Sequence, residues 1–152
     1  MSNIIYIDDA LATAKQNIAK ITLNFLEEQL PDFNILGFGR EKDVFHYFFN
    51  INKPLPNLLI CDHNLYWGED ESMPYGYKYR YADQLIGELQ MIRGSIEPII
   101  IYSDSGIAEW RWKEAKIPYV KFVPKWENEP WKILTQSAQE ILRQKGIREK
   151  RF

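Results

Sequence analysis

Five short apolar runs punctuate the chain, at Ile4–Ile7, Asn34–Phe38, Leu58–Cys61, Ile99–Tyr102 and Tyr119–Val123. The first, third and fourth are continuous rather than alternating, the pattern of strands covered on both faces. Between the runs the apolar period lengthens to that of helices. Leu11, Ala14, Ile18, Ile21 and Phe25 share one stripe that Pro31 stops. Val44, Phe45 and Phe48 mark a second helix, closed by Asn50, Pro54 and Pro56, and Leu85, Leu89 and Ile92 mark a third, ended at Gly94. A weaker fourth helix, from Ile107 to Ala115, carries Trp110 and Trp112. A fifth starts near Glu129, with Pro130 in its first turn, and runs through Leu134, Ala138, Ile141 and Leu142. Strand and helix thus alternate five times, which predicts an α/β fold with a five-stranded parallel sheet and helices on both faces. In such open sheets the functional crevice lies at the carboxyl ends of the strands. The residues that close each strand are therefore the ones to inspect.

Composition narrows the classes of function. A chain of 152 residues with no linker reads as one domain, 1–152, and 45% hydrophobic with 26% charged residues is a globular balance. No apolar run approaches the roughly 18 residues needed to span a bilayer, so no membrane association is expected. The first residues lack a basic segment and a small-residue cleavage site, and the single cysteine, Cys61, has no disulfide partner within the chain. The reducing cytoplasm is the expected compartment. Net charge is −2, and the one basic cluster, Arg143 to Arg151, suits the negative end of the last helix. Direct nucleic-acid binding is not expected without a basic patch or stripe elsewhere.

The strand ends are unusually acidic. The first strand ends in Asp8-Asp9, the third in Asp62, the fourth in Ser103-Asp104, and the fifth leads into Lys125. In a flavodoxin-like three-layer sandwich, with strand order 2-1-3-4-5, the first and third strands are neighbours and three carboxylates converge. Each pair about 5 Å apart repels by roughly 3 kcal/mol at an effective dielectric near 20, so the trio needs a proton or a cation. An oxygen-only ligand set suits Mg²⁺, or Mn²⁺, better than Zn²⁺. Plainer roles exist for each residue taken alone. Asp8 and Asp9 also fit an N-cap, Ser103 to Gly106 a turn, Lys125 a solvated side chain, and Phe122 a core position. Cys61 reads as a buried small hydrophobe. His63 is expected to face solvent, and His46 sits among helix aromatics; neither has the partners of a metal ligand.

Taken together and in order, these segments resemble the response-regulator receiver family. The matching residues are Ile4-Ile5-Tyr6-Ile7-Asp8-Asp9, Leu58-Leu59-Ile60-Cys61-Asp62-His63-Asn64, Ile99-Ile100-Ile101-Tyr102-Ser103 and Phe122-Val123-Pro124-Lys125. The resemblance implies that Asp62 is a phosphoacceptor and that Mg²⁺ is held by Asp9, Asp62 and the Asn64 main-chain carbonyl, with Asp8 acting through a metal-bound water. It also implies that Ser103 and Lys125 stabilise the phosphoryl group and that Phe122 is the switch aromatic. The implied partners are a sensor histidine kinase or phosphotransfer protein and a downstream protein target. Homodimerisation through the fourth helix, fifth strand and fifth helix is implied as well. Such a protein is not an enzyme beyond slow loss of its own phosphoryl group.

Three features depart from the family. Trp126 replaces the proline that follows the lysine and helps to aim it. Asp104 stands where a small residue commonly governs access to the phosphoryl group, so a fourth carboxylate should discourage an incoming anion. Ser103 follows Asp62 by 41 positions, a longer interval than the family's, and the excess falls at 65–81. Tyr75, Tyr77, Tyr79 and Tyr81 recur there at every second position, which predicts a strand or extended flap. Its aromatics suit either a docking surface or packing on the protein itself. The alternative function is a degenerate receiver that binds a partner without phosphorylation. A Mg²⁺-dependent aspartyl-phosphate phosphatase is disfavoured, because Asn64 occupies the place of its second acid and cannot transfer a proton.

Overall fold

The computed structural model describes residues 2–69, 77–115 and 119–150. Its elements run β1 (Ser2–Ile7), α1 (Ile18–Gln29), β2 (Phe33–Phe38), α2 (Glu41–Phe49), β3 (Leu58–Cys61), β4 (Asn64–Glu69), β5 (Tyr77–Tyr81), α3 (Ala82–Arg93), β6 (Ile99–Ser103), α4 (Gly106–Ala115), β7 (Val120–Pro124) and α5 (Pro130–Lys150). Five strands form a parallel sheet in the order β2-β1-β3-β6-β7. This is the expected 2-1-3-4-5 order, with the last two labels advanced by an additional hairpin, β4–β5.

The continuous apolar strands serve two cores because successive side chains point to opposite faces. Ile5, Ile7, Leu59, Cys61, Ile99 and Ile101 pack toward α2, α3 and α4 through Val44, Phe48, Leu85, Leu89 and Ala108. On the other face Ile4, Tyr6, Leu58, Ile60, Ile100 and Tyr102 meet α1 and α5 through Ala19, Leu26, Leu134 and Ala138. Burial of each large aliphatic side chain contributes about 1.5–3 kcal/mol, so the central strands are the best-anchored part of the molecule.

The first helix differs from the stripe expected of it. Leu11 belongs to a 3-10 turn over Asp9–Ala12, Ala14 is exposed, and α1 begins only at Ile18, where the Asn17 side chain accepts the Lys20 N–H at 3.1 Å. A side-chain cap at Asn17 outweighs the apolar spacing that extends back to Leu11. The buried face of α1 is Ala19, Thr22 and Leu26, and Ile18 is exposed.

The expected flap is an antiparallel hairpin in which Asn64 pairs with Tyr81 and Tyr66 with Tyr79. Residues 70–76, including Tyr75, lie outside the described residues. Leu65 is fully buried and Trp67 packs against the same core, so the base of the hairpin rests on the protein, while Tyr66 is exposed. Among the described residues no helix is long and apolar enough to cross a membrane.

Candidate functional site

The parallel register brings the acidic strand ends together. The Asp62 N–H donates to the Ile7 carbonyl at 2.9 Å and the Lys125 N–H to the Ser103 carbonyl at 2.8 Å, so neighbouring strands fix both backbones where they leave the sheet. Asp8 is fully buried. Its Oδ1 accepts the Ala10 N–H at 3.0 Å, and its Oδ2 accepts the Tyr6 hydroxyl at 2.8 Å and Lys125 Nζ at 2.6 Å. The cap role and the site role of Asp8 therefore coexist. Asp9 Oδ2 accepts the Tyr66 N–H at 2.9 Å, tying the site to the hairpin.

Lys125 bridges two of the three carboxylates, since its Nζ also lies 3.1 Å from Asp62 Oδ2. Replacement of the usual proline does not misdirect it. The Lys125–Trp126 peptide is trans, the one cis bond among the described residues being Glu97–Pro98. Backbone pairing of β7 with β6 aims the lysine instead, and its ammonium sits 5.2 Å from the centre of the Tyr102 ring.

Electrostatics follow from burial and from this charge imbalance. Desolvation raises the Asp62 carboxyl to about 6; Lys125 opposes the shift and Asp8 adds to it. Asp9 is also raised by burial, with the Tyr66 N–H opposing. For Lys125, burial acts downward, but Asp8 and Asp62 overcome it and hold the ammonium well above its ordinary value. Ser103 is buried and close enough to favour the charged form of Asp62. Asp62 Oδ1 is buried without a hydrogen-bond partner.

These residues fit a divalent cation. Asp8, Asp9 and Asp62 each offer an oxygen within 4.8 Å of the others, and one ammonium leaves two negative charges uncompensated. Asp62 Oδ1 is an orphaned acceptor of the kind a hard cation satisfies. The donor set is oxygen alone, as Mg²⁺ or Mn²⁺ requires.

The remaining predicted residues fall around this cluster. Asn64 opens β4, half-buried, two residues beyond Asp62, and Asp104 is exposed at the rim. Phe122 is half-buried on the α2–α3–α4 side, with its ring 5.9 Å from that of Trp126. Cys61 is fully buried, and burial pushes its thiol up. His63 does not face solvent: it is buried, stacked on Tyr81 at 5.2 Å, and accepts the Trp112 indole N–H at Nδ1 at 3.0 Å. The hairpin beginning at Asn64 roofs it, which a strand end followed by an open loop would not do. Two tyrosines were hidden in the apolar runs. Tyr6 holds Asp8, and Tyr102 hydrogen-bonds Thr22 at 3.0 Å beneath Lys125. A hydroxyl inside a fully buried strand, two residues before Asp8 or one before Ser103, was the available signal.

A doubly wound sheet thus carries this acidic, lysine-bridged cluster at the carboxyl ends of its strands. No family model matches the sequence, and no curated protein does either. Solved structures do match. A response regulator receiver domain protein from Clostridium thermocellum aligns over 97% of this chain and 98% of its own, with TM-score 0.58 and 13% identity. A CheY-like receiver domain protein from Methanospirillum hungatei JF-1 aligns over 96% and 98%, with TM-score 0.57 and 16% identity. The signal receiver domain of a DNA binding response regulator from Colwellia psychrerythraea 34H aligns over 94% and 99%, with TM-score 0.63 and 12% identity. The chain has the fold of response-regulator receiver domains.

Proposed function

We propose that the chain is a phosphoacceptor receiver domain in which Mg²⁺-dependent phosphorylation of Asp62 switches a partner-binding surface. The observation that carries this is the arrangement at Asp62: Lys125 Nζ lies 3.1 Å from Oδ2 and also engages Asp8, while Oδ1 has no partner. A carboxylate held at one oxygen by an ammonium, with its other oxygen unpartnered, is a positioned nucleophile. Its oxygen forms the new O–P bond as the donor's bond to phosphorus breaks, and the leaving group takes the electron pair. Lys125, within reach of Asp62, pairs with the incoming anion, and the Ser103 hydroxyl donates to another phosphoryl oxygen. Asp8 keeps Lys125 oriented, and Tyr6 in turn keeps Asp8 oriented. Asp9, Asp62 and the Asn64 carbonyl would hold the metal, which neutralises charge on the phosphoryl oxygens when bound. The phosphoryl source is a histidine kinase or phosphotransfer protein, and the output is a protein contact, with Phe122 beside Trp126 on the responding face.

A degenerate receiver that binds a partner without phosphorylation is favoured by one observation, the exposed carboxylate of Asp104 at the rim. Intact mass after incubation with Mg²⁺ and acetyl phosphate separates the two. We expect one added phosphoryl group, absent without metal and absent in Asp62→Asn. An unchanged mass with every donor tried would favour the binding module.

A further inference from the structure

His63 follows the acceptor residue directly, yet its side chain points away from the acidic cluster into a set of buried contacts that phosphoryl chemistry does not use. Its ring stacks on Tyr81 at 5.2 Å with an interplanar angle of 20°. Its Nδ1 accepts the Trp112 indole N–H at 3.0 Å. Its backbone carbonyl accepts the Ala82 N–H at 2.8 Å. An indole N–H only donates, so Nδ1 must be bare and the ring proton must sit on Nε2. One residue therefore ties the acceptor strand to the end of the hairpin, to the start of α3 and to α4.

The α4 end of this set has a buried side and an outer side. Among the described residues of α4, Trp112 and Ala108 are buried, whereas Ile107 and Trp110, at 78% and 66% exposure, stand on its outer side. Arg111 reaches back from the same helix, with its guanidinium 5.2 Å from the Tyr81 ring and 2.7 Å from Asp83 on α3. The surface pair is exchangeable with water, but the buried indole–imidazole bond is not, because breaking it leaves a buried donor unpaired.

We propose that His63 is a positioning residue that transmits the state of Asp62 to α4 through its hydrogen bond with Trp112. The inference rests on the phosphoacceptor reading for the identity of the signal, but not for the existence of the link. Adding a phosphoryl group to Asp62 displaces the backbone it shares with His63. Nδ1 then shifts against Trp112, and α4 repacks with its outer residues. This route is separate from the strand β7 aromatic, Phe122.

The test uses the full chain. His63→Phe keeps a ring to stack on Tyr81 but removes the acceptor, and Trp112→Phe removes the donor from the other side should the first variant fold poorly. His63→Asn offers an amide oxygen near the place of Nδ1. After Mg²⁺ and acetyl phosphate, intact mass reports loading and hydrogen–deuterium exchange reports α4. We expect α4 exchange in the parent to change by about twofold or more on loading, the lower end of what one net hydrogen bond carries. In His63→Phe and Trp112→Phe the same loading should leave α4 unchanged, and His63→Asn should restore the response. Variants that load and respond as the parent does would overturn the proposal, as would a parent that loads without any change in α4. If the parent gains no mass, the phosphoacceptor reading fails and the link is judged separately. In that case Asp62→Asn must shift the Trp112 indole N–H resonance and α4 exchange, and must not do so alongside Trp112→Phe or His63→Phe in α4 exchange; no shift in Asp62→Asn alone overturns it.

Discussion

Asp62 is the residue at which burial and charge oppose each other. In the metal-free protein its carboxyl titrates near 6, against 3.8 as the ordinary value, chiefly because it is desolvated. Between about pH 4 and 6 the folded chain holds a proton that the unfolded chain has released, so stability falls as pH rises through that window. Above it the full deficit is present, on the order of 3 kcal/mol for two pK units, reduced by whatever Lys125 loses with its partner. Asp62→Asn should therefore raise the melting temperature of the protein in chelator at pH 7.5 and flatten the slope between pH 4 and 6. Thermal melts across that range measure both effects, and a lower melting temperature for the variant at pH 7.5 would show that the Lys125 contact outweighs desolvation. Neighbouring residues differ in how visible such roles were. Asp8, Asp9, Asp62 and Lys125 could be singled out because charges at the ends of apolar runs need a reason to be there. Tyr6 and Tyr102 could not, because a buried tyrosine in a strand is first of all a large hydrophobe, and its hydroxyl partner is set by tertiary contact.

Elements whose apolar pattern had one reading came through with their boundaries nearly intact. β3 and β6 are continuous because helices cover both their faces, and α3 stops at Gly94, whose φ of 89° favours glycine. Where two signals competed, the pattern misled. Leu11 carries the right spacing for α1 but is spent in the turn after β1, since Asn17 caps the helix further on. That turn matters because it carries Asp9, and its position depends on a glycine in the next strand connection. A Cβ on Gly39 would stand 2.4 Å from the Ala12 nitrogen and 2.9 Å from the Leu11 carbonyl carbon, both backbone atoms that cannot rotate away. Gly39→Ala must push the 3-10 turn off the sheet end, at a cost of about 1–3 kcal/mol for overpacking. We expect a lower melting temperature and a metal response weaker than the parent's, because Asp9 moves with the turn. A variant with parental values in both would mean that the turn relaxes without disturbing the site.

Across the whole molecule the acidic end is where the fold gives up stability to hold charges close together. Three carboxylates face one ammonium, and the strands that hold them are among the most deeply buried parts of the chain, so the cluster cannot relieve its repulsion by spreading. A divalent cation would balance the charge, and would do so only in the folded chain, because the three residues meet only when β1 and β3 pair. Binding to the folded state alone stabilises by about 1.4 kcal/mol at ten times the dissociation constant and about 2.7 kcal/mol at one hundred times. Saturating Mg²⁺ should therefore raise the melting temperature, with Mn²⁺ acting similarly and Ca²⁺ less well if the site keeps octahedral geometry. The stabilisation should grow between pH 5 and 8, since Asp62 must lose its proton before it can bind a cation and does so near 6. Asp9→Ala should abolish most of the metal response while retaining the fold, because Asp9 contributes a ligand oxygen but its carboxylate makes only one hydrogen bond to the hairpin, to Tyr66. Differential scanning fluorimetry against metal concentration at several pH values makes the measurement. A parent whose melting temperature is the same with and without millimolar Mg²⁺ at pH 8, or an Asp9→Ala variant that responds fully, would mean that Lys125 and protons alone neutralise the cluster.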